Sequence, residues 1–94
     1  MNLQDYRKQI DAIDDELVRL FKERMEVARK IAEYKKEHDL PVLNAGREQE
    51  KLEDISLKAG DDMQVYAGRL YKTIFELSRE YQEDCISGEV RHIQ

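Results

Sequence analysis

An all-α fold is predicted by three observations. From Leu3 to Tyr34 the apolar residues keep a seven-residue rhythm, through Leu3, Tyr6, Ile10, Ile13, Leu17, Leu20, Val27, Ile31 and Tyr34. A second stripe, Tyr66, Leu70, Ile74, Leu77 and Tyr81, advances in steps of four and three. The 94 residues hold one proline and four glycines against 39% charged residues, which suits helices rich in Glu, Lys, Arg and Leu. No alternating strand pattern and no internal repeat appears.

The elements read in order as a long, a short and a medium helix. The first is predicted from Leu3 to His38, with Asn2 as its cap and Asp5 favourable in the first turn. Pro41 forbids its continuation and restricts Leu40. Such a helix is about 50 Å long, whereas a compact chain of this size is only about 30 Å across. It cannot bury its whole stripe within its own chain, so it is expected to pack against a second copy as an intertwined homodimer.

Residues 41–46 connect to a short helix, capped by Asn44 and running from Ala45 to Lys58, with Leu52, Ile55 and Ala59 facing inward. Gly60 suits a left-handed C-terminal position and Asp62 an N-cap. The third helix is predicted from Met63 to Cys85, with Ser87-Gly88 closing it. Residues 1–88 read as one domain and 89–94 as a flexible tail.

The net charge of −5 argues against general affinity for nucleic acid or anionic membrane. No secretory or transit pattern and no apolar run of membrane-spanning length is read. Cys85 is the only cysteine, so no internal disulfide forms, and a cytoplasmic location is expected. Cys85 itself reads as a small buried hydrophobe. No metal-spaced His/Cys cluster, catalytic triad or phosphate loop is present, so neither metal nor cofactor is expected.

One position breaks the first stripe. After Leu20 the next seam residue is Arg24, and an unpartnered buried guanidinium is costly. Either a carboxylate of the protein or an anionic ligand must answer it. Lys35, eleven residues on, lies within about 20° of Arg24 and about 16 Å along the axis. Ala28 and Ile31 lie between them. Taken alone, Lys35 also reads as a solvated lysine at a helix end. Arg7 lies about 25 Å before Arg24 and about 100° around the helix. It reads as a surface arginine, unless an antiparallel partner helix brings it to the other chain's Arg24.

Arg47 and Glu48 open the second helix, where free backbone N–H groups suit an anion or a polar ligand edge. Glu48 is equally accounted for as an acid favourable to the helix dipole, to which Arg47 is mildly unfavourable. On the third helix Ser78 and Gln82 form an i, i+4 polar pair beside Phe75 and Cys85. They read either as boundary residues or as neutral hydrogen-bonding groups for a ligand.

The ordered set Arg7, Arg24, Lys35, Pro41-Val42, Arg47-Glu48, Ser78 and Gln82 resembles the all-helical class of chorismate mutases, over about residues 3 to 85. The resemblance implies an intertwined dimer that rearranges chorismate to prephenate. It implies that Arg24 and Lys35 of one chain, with Arg7 of the partner, bind the two carboxylates of chorismate. Lys35 and Gln82 would face the ether oxygen, Arg47 would add positive charge, and Ser78 would hydrogen-bond a carboxylate. Glu48 would accept from the ring hydroxyl, and Asn44 would contact it through the backbone. Relatives often carry aspartate at the Asn44 position. Isochorismate-pyruvate lyases resemble the same class and remain an alternative, as does a non-catalytic helical dimer scaffold.

Overall fold

A computed structural model describes residues 1–88. The expected tail, 89–94, lies outside the described residues. Three helices follow in order: α1 (Leu3–Glu37), α2 (Ala45–Ala59) and α3 (Gln64–Ser87).

Asn2 starts α1 with a reciprocal cap. Its side chain accepts from the Asp5 amide and the Asp5 carboxylate accepts from the Asn2 amide, each at 3.0 Å. At its other end the His38 amide bonds the Tyr34 carbonyl at 3.1 Å and the Leu40 amide bonds Lys35 O at 2.8 Å. Asp39 takes a positive φ of 56° in this turn, a conformation that aspartate tolerates. The reversal at Asp39-Leu40-Pro41 brings Val42 back onto α1, where it is buried. Asn44 caps α2 by accepting from the Arg47 amide at 3.0 Å.

The junction between α2 and α3 differs from the expectation. Asp62 does not cap α3; Met63 holds that position and makes no side-chain cap bond. The Gly60 carbonyl does the work instead, accepting from the Met63 and Gln64 amides at 3.2 and 2.9 Å. Gly60 has φ 81° and ψ 169°, so it is extended at positive φ rather than left-handed helical. That backbone region is open essentially to glycine alone. Gly88 closes α3 in the left-handed conformation.

Both α1 and α2 pack against α3. The core so formed holds the small residues Ala28 and Ala32 of α1, Phe75 of α3 and Ile55 of α2, all buried. Leu52 and Ala59 are half-buried beside Ile55. The long stripe of α1 is not part of this core. Its residues, from Leu3 to Tyr34, stay between 43% and 63% exposed. The α3 stripe is displaced too: Tyr66, Leu70 and Leu77 are exposed, and the buried face holds Phe75, Ser78 and Gln82. That is a rotation of one residue, about 100°. α3 therefore turns a part-polar face to its own chain and leaves Tyr66, Leu70 and Leu77 outward, with Ile74 and Tyr81 half-buried. Cys85 is half-buried rather than buried. The chain extends 54 × 35 × 16 Å, with a radius of gyration of 16.3 Å. A compact chain of 94 residues would have about 12–13 Å.

Candidate active site

The α1–α3 packing leaves a cavity of about 610 Å³, open on one side and walled by all three helices. α1 contributes Arg24, Ala28, Ile31 and Lys35 from one face, as their spacing dictates. The α2 start contributes Asn44, Arg47 and Glu48, and α3 contributes Phe75, Ser78 and Gln82. Seven of the eight site residues expected from sequence thus meet in one place. Arg7 does not; it is exposed on the free half of α1.

The charges in this cavity are unevenly partnered. Five cations line it: Arg24, Lys35, Arg47, Lys51 and Arg79. Arg47 faces Glu50 at 3.6 Å and Lys51 faces Asp54 at 3.2 Å. Lys58 and Lys51 hydrogen-bond that aspartate and hold its carboxyl below its usual range. Arg79 pairs with Glu48 across the cavity wall. Among the described residues no carboxylate answers Arg24 or Lys35. The Arg24 guanidinium lies 5.8 Å from the centre of the Phe75 ring, a cation–π distance. Lys35 Nζ donates to the Val42 carbonyl at 2.6 Å, which leaves two of its three N–H donors for a ligand. Neutral partners hold both cations in place without cancelling their charge.

Opposite them lies a buried neutral pair. Gln82 Nε2 donates to Ser78 Oγ at 3.0 Å. Gln82 Oε1 is buried and has no partner. Rotating the amide by 180° exchanges its ends: the Ser78 hydroxyl then donates to Oε1 and Nε2 is free instead. In both arrangements Ser78 anchors one end of the amide and the other end awaits a ligand. The boundary reading of Ser78 and Gln82 is therefore replaced, since both are more than nine-tenths buried.

Sequence reasoning passed over Arg79, Lys51 and the Val42 carbonyl. Lys51 follows Arg47 and Glu48 at helical spacing, and Arg79 adjoins Ser78, so both faces were readable. The Val42 carbonyl carries no side-chain signal, and the Glu48–Arg79 pairing spans two helices.

An all-helical chain whose cavity sets two cations with no carboxylate partner among the described residues opposite a buried neutral pair is chemically suited to a small organic anion. The comparisons give it a family. The chain belongs to the chorismate mutase type II family, whose model matches residues 6–83. It is 36% identical over 88 residues to the bifunctional chorismate mutase/prephenate dehydratase of Aquifex aeolicus, covering 93% of this chain and 24% of that protein. It is 37% identical over 57 residues to the T-protein of Haemophilus influenzae, covering 61% of this chain and 15% of that protein. The chain therefore spans about a quarter or less of these relatives. No solved structure matches it significantly. Among the described residues no helix is long and apolar enough to cross a membrane.

Proposed function

We propose that this chain is a chorismate mutase that rearranges chorismate to prephenate and works as a homodimer. One observation carries the reading. Arg24 and Lys35, the lining cations with no carboxylate partner among the described residues, share a cavity with a buried amide whose Oε1 lacks a hydrogen-bond partner there. A dianion answers the cations, and with the amide rotated so that Ser78 donates to Oε1, the free Gln82 Nε2–H meets a reactive ether oxygen.

In this reading Arg24 and Lys35 hold the carboxylates, with Arg7 of the second copy completing the set. Ser78 hydrogen-bonds a carboxylate and Arg47 adds positive charge at the mouth. Glu48 accepts from the ring hydroxyl and the Asn44 backbone lies beside it. The flexible enolpyruvyl arm is thereby held over the ring, which supplies the near-attack geometry. The ether C–O bond breaks as the new C–C bond forms within the same molecule, so no atom is gained or lost. Negative charge gathers on the ether oxygen as its bond lengthens. Lys35 Nζ–H, held by Val42, and Gln82 Nε2–H, in the amide arrangement where Ser78 donates to Oε1, are aimed at that charge. Contacts made equally to substrate and transition state lower KM alone.

The homodimer is supported by the exposed α1 stripe and by the outward Tyr66, Leu70 and Leu77 of α3. The enzyme is expected to be cytoplasmic. Incubation with chorismate, followed by identification of the product, tests the activity. Prephenate is expected. Pyruvate released from isochorismate, with little prephenate, would assign the lyase instead. No turnover by a folded dimer would leave a scaffold.

A further inference from the structure

Arg79, like Lys51, is a lining cation that the sequence did not single out. It stands on α3 between Ser78 and Gln82, and its Nη1 donates to both oxygens of Glu48, at 2.5 and 2.6 Å. The two side chains are 31% and 25% exposed. They are separated by 31 residues of chain, so this pair ties the first turn of α2 to α3. Elsewhere the ion pairs of the described residues are local, three or four residues apart along one helix.

The geometry has a consequence for Glu48. A glutamate on a helix samples several rotamers, and fixing one costs entropy. Here Arg79 holds the carboxylate at the cavity wall before any ligand arrives. Each carboxylate oxygen can accept more than one hydrogen bond. One Nη1 contact apiece therefore leaves acceptor sites open toward the cavity. A fixed charged acceptor rewards a ligand hydroxyl, and a ligand without one leaves the cavity-facing acceptor sites unmatched by the ligand.

We propose that Arg79 is a positioning residue for substrate specificity. It fixes Glu48 so that the site selects a ring dianion bearing a hydroxyl over one lacking it. The inference rests on the mutase reading, in which Glu48 meets the ring hydroxyl of chorismate.

The test is the ratio of kcat/KM for chorismate to kcat/KM for its analogue without the ring hydroxyl. That hydroxyl takes no part in the bonds made or broken, so the analogue can still rearrange. A hydrogen bond to a charged acceptor makes the ratio roughly 10–100 in the unaltered protein. Arg79→Met is expected to lower that ratio about tenfold, and Arg79→Lys to recover part of it, since lysine keeps the charge without the planar fork. In a Glu48→Gln background Arg79→Met should lower the ratio no further. A role confined to joining α2 to α3 would lower both activities in parallel, and an unchanged ratio in Arg79→Met would overturn the proposal. Should Arg79→Met fail to fold, the ratios of Arg79→Lys and Glu48→Gln decide: both must fall below that of the unaltered protein, and a full ratio in either sinks the inference. An unaltered protein that turns over neither substrate refutes the mutase reading itself, which is a separate result.

Discussion

Leu17 offers a direct test of the assembly. It lies mid-stripe on α1, is 55% exposed, and does not line the cavity. In a lone chain, Leu17→Ala would change stability by no more than about 0.5 kcal/mol, as for other surface substitutions. In a two-fold dimer the same side chain is covered twice. Full burial of a leucine contributes about 1.5–3 kcal/mol. Covering the open half contributes about 0.8–1.6 kcal/mol per copy, hence about 1.6–3.3 kcal/mol per dimer. That weakens dimerisation by roughly 15- to 250-fold. Leu17→Asp goes further, because it brings two like charges into the seam. Sedimentation velocity over a dilution series, run beside prephenate formation, reads both effects. Specific activity should collapse with dilution at concentrations where the unaltered protein is still dimeric. A fully active monomer, or a folded Leu17→Asp chain that remains a dimer, would refute the reasoning.

Other expectations concern the site. Arg7→Ala and Arg24→Ala chains should each be crippled, with Arg24→Ala losing about 2–5 kcal/mol as one partner of a charge contact. Mixed together, they should regain activity through one intact site per heterodimer; unchanged inactivity of a verified heterodimer would argue against a shared site. Lys35→Ala should lower kcat by roughly 10²–10³, as for a lost preorganised donor; a rise in KM with kcat intact would remove Lys35 from the ether oxygen. Gln82 holds no titrating proton, so it places no limb on the pH–rate profile near neutrality. Gln82→Glu can donate only while protonated, and burial raises a carboxyl's pKa, so its kcat should fall as pH rises through that raised pKa. An undiminished rate for that variant at pH 8 would dismiss Gln82 as the donor.

Much of this was legible in the chain. Helix order and both asparagine caps follow from local chemistry, since a cap needs only residues within one turn. The α2–α3 junction was misread because Gly60 supplies a backbone carbonyl where a side-chain cap was sought in Asp62. The α3 stripe was found, but its direction was not. Periodicity identifies an apolar face without saying whether the chain's own core or another surface covers it. Ser78 and Gln82 looked like edge residues for the same reason. Their burial depends on Ala28 and Ala32 letting α3 approach α1, a tertiary fact. Arg24 and Lys35 were readable because both lie on one helix, where 3.6 residues per turn fixes their relation. The position of Arg79 beside Ser78 was readable too, but its pairing with Glu48 was not, because that partner is on another helix.

The charge arrangement along α1 explains how an acidic chain keeps a cationic cavity. Arg19 pairs with Glu16 at 2.9 Å and with Glu23 at 3.4 Å. Arg29 pairs with Glu26 at 2.6 Å and also with Glu33. Its hydrogen bond holds the Glu26 carboxyl below its usual range. The exposed Arg19 ladder runs along the outer side of the helix and the Arg29 ladder beside Tyr81 of α3, and together they engage Glu16, Glu23, Glu26 and Glu33. Glu23 is the telling case, since it lines the cavity next to Arg24 yet turns to Arg19. Freed from Arg19, it becomes a competitor for the Arg24 guanidinium and a repulsive neighbour for a bound dianion. Arg19→Gln should therefore raise KM while leaving kcat in place, by no more than a few-fold because exposed pairs are worth about 0.2–1 kcal/mol. The effect should shrink as salt screens the exposed charges. A KM that is the same at low and high ionic strength in this variant would mean that Glu23 is kept from Arg24 by the helix itself. The outer ladder would then carry no part of the cavity's charge.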